Sequence, residues 1–127
     1  MKQPYNFDSD CISKILKYIK AISDAYTMFG IDSAENLRGS HICQLAVTQA
    51  ITNIYEIKKR MSSNALAQTP NFDKIGLKAA RNIASHNYES LDFGIIFKRT
   101  RQLLNPEISK ELEEAKDGIQ RSKANNS

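Results

Sequence analysis

The chain has 127 residues, a formal net charge of +4 and 41% hydrophobic residues, which is typical of one globular domain with its own core. No apolar stretch approaches the roughly 20 residues of a membrane span, and Lys14, Lys17 and Lys20 interrupt any signal-like run. Cys11 and Cys43 are too few for a disulfide framework and lack a His companion at metal-ligand spacing. We therefore expect a cytoplasmic protein without cofactor, metal or membrane anchor, in which both cysteines are small apolar helix residues.

The first predicted helix begins near Asp8 or Ser9, either of which could cap it, and ends at Gly30. Its apolar residues recur every three or four positions and share one face: Ile12, Ile15, Ile19, Ile22, Tyr26 and Phe29. The connection 31–39 has room for a turn of helix after Ser33.

A second long helix is predicted from about Ser40 to Met61. Its apolar stripe consists of Cys43, Val47, Ala50, Ile54, Ile57 and Met61, widened by Ile42 and Leu45, with Gln44, Gln49, Asn53 and Lys58 mostly off it. Two helices of this length with matching stripes are typical of an antiparallel pair at the centre of a bundle.

The polar segment 62–71 contains Pro70 and predicts a loop. A third helix is expected over about 71–86, a fourth over about 90–104, and a fifth from Pro106, with Asn105 as its cap. The sequence thus predicts an all-α, antiparallel bundle of about five helices in one domain, 1–120, followed by a polar tail, 121–127.

Two basic clusters stand out, Lys58-Lys59-Arg60 and Arg99 with Arg101. With the positive net charge they are mild evidence for a polyanionic partner. Each is better explained as a solvated helix face, so charge alone does not indicate RNA.

One motif carries a functional hypothesis, Arg81-Asn82-x-x-x-His86-x-Tyr88. On a helix, Arg81 and His86 are separated by about 140° around the axis and do not share a face, whereas Asn82 and His86 do. From spacing alone, His86 is a helix-end or core residue, Arg81 a surface ion-pair residue and Tyr88 a packing residue.

In its wider context, with Asp92 and Ile96-Phe97 following it, the motif resembles the HepT-like toxins of the HEPN superfamily. Those proteins carry Arg, a polar residue, His and then Tyr at the end of their third long helix, and an acidic position and an apolar-aromatic pair in the fourth. The resemblance covers about 12–112 in helix order and length, and 81–97 is its specific part.

The chain also departs from that family. Many relatives have a Gly-Glu pair late in the second helix, where this chain reads Asn53-Ile54-Tyr55-Glu56, and many have tryptophans, of which this chain has none. Phe72 and Phe97 stand in their place. These differences concern dimer contacts and partner fit more than the chemistry.

The resemblance implies a homodimeric, HEPN-like up-and-down bundle that cleaves RNA as a metal-independent endoribonuclease, with the cleft at the two-fold interface. Arg81 and His86 would be catalytic, with Asn82 supporting them. Tyr88 would be adenylylated by a cognate minimal nucleotidyltransferase, the antitoxin of a type VII-like toxin–antitoxin system. A cleft shared by two chains would explain the angular offset between Arg81 and His86.

Two alternatives stay open. The chain could be a non-catalytic helical subunit that docks a minimal nucleotidyltransferase and helps hold its substrate, or a scaffold in which the motif stabilises a dimer. The three hypotheses diverge in what they expect of a His86→Ala variant.

Overall fold

The computed structural model describes residues 4–78, residue 80 and residues 92–125. The helices in these ranges are α1 (Pro4–Phe29), α2 (Ala34–Arg38), α3 (His41–Lys58), α4 (Ser63–Ala67), α5 (Pro70–Asp73), α6 (Phe93–Leu103) and α7 (Pro106–Asn125). Leu77, Lys78 and Ala80 are helical as well. The described ranges contain no strand, so the all-α class is confirmed for this part of the chain. The prediction of about five helices did not include the short helices α2 and α4.

The start of α1 differs from the prediction, because the helix begins at Pro4 and neither Asp8 nor Ser9 caps it. Both side chains are nearly buried within the helix. The Asp8 carboxylate accepts hydrogen bonds from the backbone nitrogen of Ser62 at 2.9 Å and from its hydroxyl at 2.6 Å. Gln120 Nε2 donates to the Ser9 hydroxyl at 3.3 Å. Buried polar groups need such partners, so these residues hold distant segments against α1.

The helices α1 and α3 pack side by side in opposite directions. Tyr26, near the end of α1, lies close enough to Cys43 at the start of α3 to interact with it electrostatically. Cys11, near the start of α1, interacts in the same way with Arg60, just after α3. The two cysteines are buried and free, as expected. The core between these helices contains Ile12, Ile15, Ile22, Val47, Ile51 and Ile54.

Two expectations for α3 are wrong. Ile42 and Leu45 are 65% and 50% exposed, because they lie about 140° and 160° around the helix from the buried Val47, on the side that α1 does not cover. Gln44, in contrast, is buried, and its amide donates to the carbonyl oxygens of Leu37 at 2.8 Å and Arg38 at 2.7 Å. It satisfies carbonyl groups that the end of α2 leaves without helical partners.

The connection from α1 to α3 follows its local signals. Gly30 has φ +65°, the left-handed conformation that ends many helices. The Ser33 hydroxyl accepts from the backbone nitrogen of Asn36 at 3.1 Å and caps α2, the expected turn of helix.

The segment 62–71 is not the predicted loop, since it contains α4 and the start of α5. The Ser62 hydroxyl caps α4 by accepting from the backbone nitrogen of Ala65 at 3.1 Å, and Pro70 occupies the first turn of α5. The predicted third helix over 71–86 is interrupted: α5 ends at Asp73, and helical residues resume only at Leu77. Its remainder from 81 to 86 lies outside the described residues.

Both later helices begin with side-chain caps. Asp92 Oδ1 accepts from the backbone nitrogens of Gly94 at 3.0 Å and Ile95 at 3.3 Å, so α6 begins at Phe93, later than the predicted start near residue 90. Asn105 Oδ1 accepts from the backbone nitrogen of Glu107 at 3.0 Å, and Pro106 is the first residue of α7, as predicted. This helix packs along α1 and continues to Asn125, so it extends into the predicted tail.

Candidate functional site

All four motif residues, Arg81, Asn82, His86 and Tyr88, lie outside the described residues. The structure describes the chain on both sides of them, from Asp73 to Lys78 with Ala80 before the motif, and from Asp92 onward after it.

The residues after the motif have clear structural roles. Asp92 is exposed and caps α6, while Ile96 is completely buried in the core. The Phe97 ring packs against Tyr26, with 5.8 Å between the ring centroids. The acidic position and the apolar-aromatic pair noted in the sequence therefore begin α6 and attach it to α1.

A buried hydrogen bond strengthens this attachment. The hydroxyl oxygens of Tyr26 and Thr100 lie 2.5 Å apart. Thr100 Oγ1 also lies 3.0 Å from the carbonyl oxygen of Ile96 and 2.9 Å from that of Phe97. Because a threonine hydroxyl has one hydrogen, which points to these carbonyls, Tyr26 is the donor to Thr100. Burial raises the pKa of Tyr26 to about 12, so its hydroxyl keeps its proton.

Before the motif, the chain passes directly over Arg99 of α6. A Cβ built on Gly76 would lie 3.4 Å from Arg99 Nη2 and 3.5 Å from both Cζ and Nε. Near-equal distances to three guanidinium atoms indicate that the flat face of this group lies against Gly76. Arg99 Nη1 donates to Gln102 Oε1 at 3.1 Å, and its buried Nε has no hydrogen-bond partner among the described residues. The positive charge of Arg99 thus lies against Gly76, which is five residues before Arg81 in the sequence.

The same stretch forms one wall of a surface groove of about 370 Å³, here called the lysine groove. Its lining consists of Lys58, Lys59, Lys74 and Lys78, together with Tyr55, Leu66 and the chain from Asp73 to Leu77. It lies between the end of α3 and the segment that leads into the motif.

Two of these lysines are engaged in contacts within the fold. Lys58 Nζ lies 3.3 Å from Asp73 Oδ1 and donates to the Asp73 carbonyl oxygen at 2.8 Å, and its side chain is only 17% exposed. Lys59 Nζ lies 3.7 Å from Glu56 Oε2 and 5.4 Å from the centroid of the Tyr55 ring. Within this cluster, Lys58 therefore joins α3 to α5, and Lys59 extends along its own helix.

The other two, Lys74 and Lys78, are exposed and form no ion pair with any described residue. Neither lysine belongs to the basic clusters that stand out in the sequence. The signal that could have found them is their spacing of four residues just before the motif, but the intervening Gly76 and the break after α5 set their actual position.

Larger grooves are lined by other parts of the described chain. One of about 610 Å³ runs between α1 and α7, and another of about 710 Å³ lies at the end of α6. The first carries both signs of charge, with Lys17, Lys20 and Lys116 around Glu113. Neither is lined by residues adjacent in sequence to the motif.

In the described ranges, no three His, Cys, Asp or Glu side chains are grouped so that they could hold a metal ion. Nor does any helix described there combine the length and apolar character that a bilayer span requires. No protein-family model matches the chain, and no match was found among curated proteins or solved structures.

Proposed function

We propose that this protein is a HEPN-type, metal-independent endoribonuclease that acts as the toxin of a type VII-like toxin–antitoxin system. The observation that carries the proposal is the motif Arg81-Asn82-x-x-x-His86-x-Tyr88, followed by the acidic Asp92 and the apolar-aromatic pair Ile96-Phe97. The all-helical architecture of the described ranges, with its long antiparallel pair α1 and α3, is compatible with this assignment.

The proposed reaction is attack of a ribose 2′-hydroxyl on the adjacent phosphate. A bond forms between the 2′-oxygen and phosphorus, and the bond from phosphorus to the 5′-oxygen breaks, leaving a cyclic phosphate and a 5′-hydroxyl. The proton lost by the 2′-hydroxyl is balanced by one delivered to the leaving oxygen. Histidine suits both transfers because it titrates near neutral pH.

The proposed site is formed by two chains. A dimer cleft would contain two His86 rings, one neutral to accept a proton and one protonated to donate. Two Arg81 guanidinium groups would stabilise the charge of the pentavalent phosphorus, since their planar donors match phosphate oxygens. Asn82 would donate to the phosphate or orient His86.

Tyr88 is the proposed point of control. Adenylylation by a cognate minimal nucleotidyltransferase would add bulk and negative charge beside the cleft, and would repel an RNA phosphate. Mass spectrometry of the protein after co-expression with the transferase should show AMP on Tyr88. Full neutralisation with Tyr88 unmodified would contradict this part of the proposal.

The test is RNA cleavage by purified protein in the presence of EDTA. The chain offers a matched control, because it has two histidines and His41 lies exposed at the start of α3. Wild type and His41→Ala should produce fragments with cyclic phosphate ends, whereas His86→Ala should be slower by roughly 10²–10⁴-fold with an unchanged circular dichroism spectrum.

Other outcomes would favour the alternatives. Intact RNA with every variant, together with nucleotide or transferase binding that His86→Ala weakens, would identify a non-catalytic subunit. A lower melting temperature as the only effect of His86→Ala would identify a scaffold. Cleavage by His86→Ala at the wild-type rate would refute the catalytic role.

A further inference from the structure

We infer that the lysine groove binds the sugar-phosphate backbone of single-stranded RNA beside the cleavage site, an inference that rests on the proposed function. The groove is lined by the part of the chain that comes just before the motif in the sequence. One wall ends at Lys78, three residues before Arg81, so a strand held there contacts the segment that leads into the motif.

The described lining of the groove carries an excess of positive charge. Asp73 is the one carboxylate among the described residues that line the groove, and Lys58 neutralises it at 3.3 Å. Lys74 and Lys78 face solvent without an ion pair to any described residue, and the Arg99 guanidinium lies directly behind Gly76. Lys74 and Lys78 therefore have no matching acidic group among the described lining residues, and the Arg99 guanidinium adds a further positive charge behind Gly76. A polyanion gains binding energy there by releasing its counterions.

The groove is suited to binding phosphates rather than bases. Its one aromatic ring in the described lining, Tyr55, has Lys59 Nζ placed 5.4 Å from the ring centroid. That cation covers a face on which a base would otherwise stack. Lysine ammonium groups bind phosphates as point charges and read no base edges. Binding in the groove should therefore depend on salt and be nearly independent of RNA sequence.

The experiment measures the binding of labelled single-stranded RNA by fluorescence anisotropy at 50–200 mM salt. His86→Ala serves as the parent protein, so that RNA stays intact during the titration. The test variant adds Lys74→Ala and Lys78→Ala, and the matched control adds Lys14→Ala and Lys110→Ala. The control lysines are also exposed on helices and change the net charge equally, but they do not line the groove.

Loss of two phosphate contacts should reduce the slope of log affinity against log salt by about 1.4. The affinity advantage of the parent over the test variant should then shrink by about sevenfold from 50 to 200 mM salt. The control should keep the parental slope, and two RNAs of different base composition should behave alike. Melting temperatures should agree among the variants, because neither pair of lysines holds the described fold together.

Two results would overturn the inference, and they can be told apart. If wild type cleaves RNA in a His86-dependent manner but the test variant keeps the parental slope, the lysine groove does not bind the strand, and the proposed function stands. If the test variant loses slope but wild type leaves RNA intact, the ribonuclease proposal fails, and the assignment of the groove to a cleavage site fails with it.

Discussion

Replacement of Tyr26 by phenylalanine removes the hydroxyl group that joins α1 to α6. Both partners are buried, with Tyr26 5% exposed and Thr100 0%. Without the tyrosine hydroxyl, the Thr100 oxygen loses its donor, at a net cost of about 1–2 kcal/mol of unfolding free energy. For a domain of this size, each kcal/mol lowers the melting temperature by about 4 °C. We therefore expect Tyr26→Phe to melt about 4–8 °C below wild type.

A double-mutant cycle isolates the hydrogen bond. Thr100→Val leaves the Tyr26 hydroxyl buried without an acceptor and should destabilise the fold by about 1–3 kcal/mol. The double variant should cost less than the sum of the two single variants, because each removes the same bond. Tyr18→Phe is the matched control, since Tyr18 is half-buried and forms no hydrogen bond with the described residues. Strictly additive losses in urea denaturation would refute the coupling.

Tyr26→Phe should also change how the stability of the fold depends on alkaline pH. The pKa of Tyr26 is raised to about 12 in the folded protein, against about 10 for a solvated tyrosine. Between these values the unfolded chain loses a proton that the folded chain keeps, so stability falls as the pH rises. Burial raises the pKa of the Cys11 and Cys43 thiols with the same sign. The stability difference between wild type and Tyr26→Phe should therefore shrink from pH 10 to 12. A constant difference would contradict the raised pKa.

Substitutions at three further positions have expected effects on stability or on growth. Gly30→Ala places a side chain at φ +65° and should cost about 1–2 kcal/mol in urea denaturation, whereas Gly39→Ala, at φ −87°, should change little. Glu111→Ala removes the carboxylate that accepts two backbone amides of α5 at 3.1 and 2.9 Å. It should lower the melting temperature by about 4–8 °C, while the exposed Glu113→Ala should not. Cells that express the Tyr88→Phe variant together with the transferase should stay growth-arrested, because the residue that is modified is absent. Restored growth would contradict control by adenylylation of Tyr88.

Features with local causes were predictable from the sequence. The apolar stripe of α1 from Ile12 to Tyr26, the stop at Gly30 and the proline start of α7 all depend on residues within one or two turns. Phe29, the last residue of the predicted stripe, is 38% exposed. Features with distant partners were not predictable. Asp8 resembles a helix cap, but its partner Ser62 is 54 positions away. Ile42 and Leu45 are apolar, yet their burial depends on which element covers α3.

The candidate site also has some features that can be read from the sequence and others that depend on the fold. The motif is a pattern of residue types and can be read from the chain alone. The cap at Asp92 was not predicted, because the fourth helix was expected to start near residue 90. The lysine groove cannot, because it depends on the break between α5 and Leu77 and on the contact between Gly76 and Arg99. The basic run at Lys58 attracted attention in the sequence, but its first lysine is paired within the fold.

The central claim is that one cleft shared by two chains cleaves RNA. It is tested most directly by denaturing wild-type chains together with an excess of His86→Ala chains, refolding the mixture and measuring RNA cleavage in EDTA. In a mixed dimer the shared cleft holds one His86 ring, so it lacks either the proton acceptor or the proton donor. The account predicts that cleavage per wild-type chain falls well below that of wild type refolded alone. A mixture that forms mixed dimers and keeps the full cleavage per wild-type chain would contradict the shared cleft.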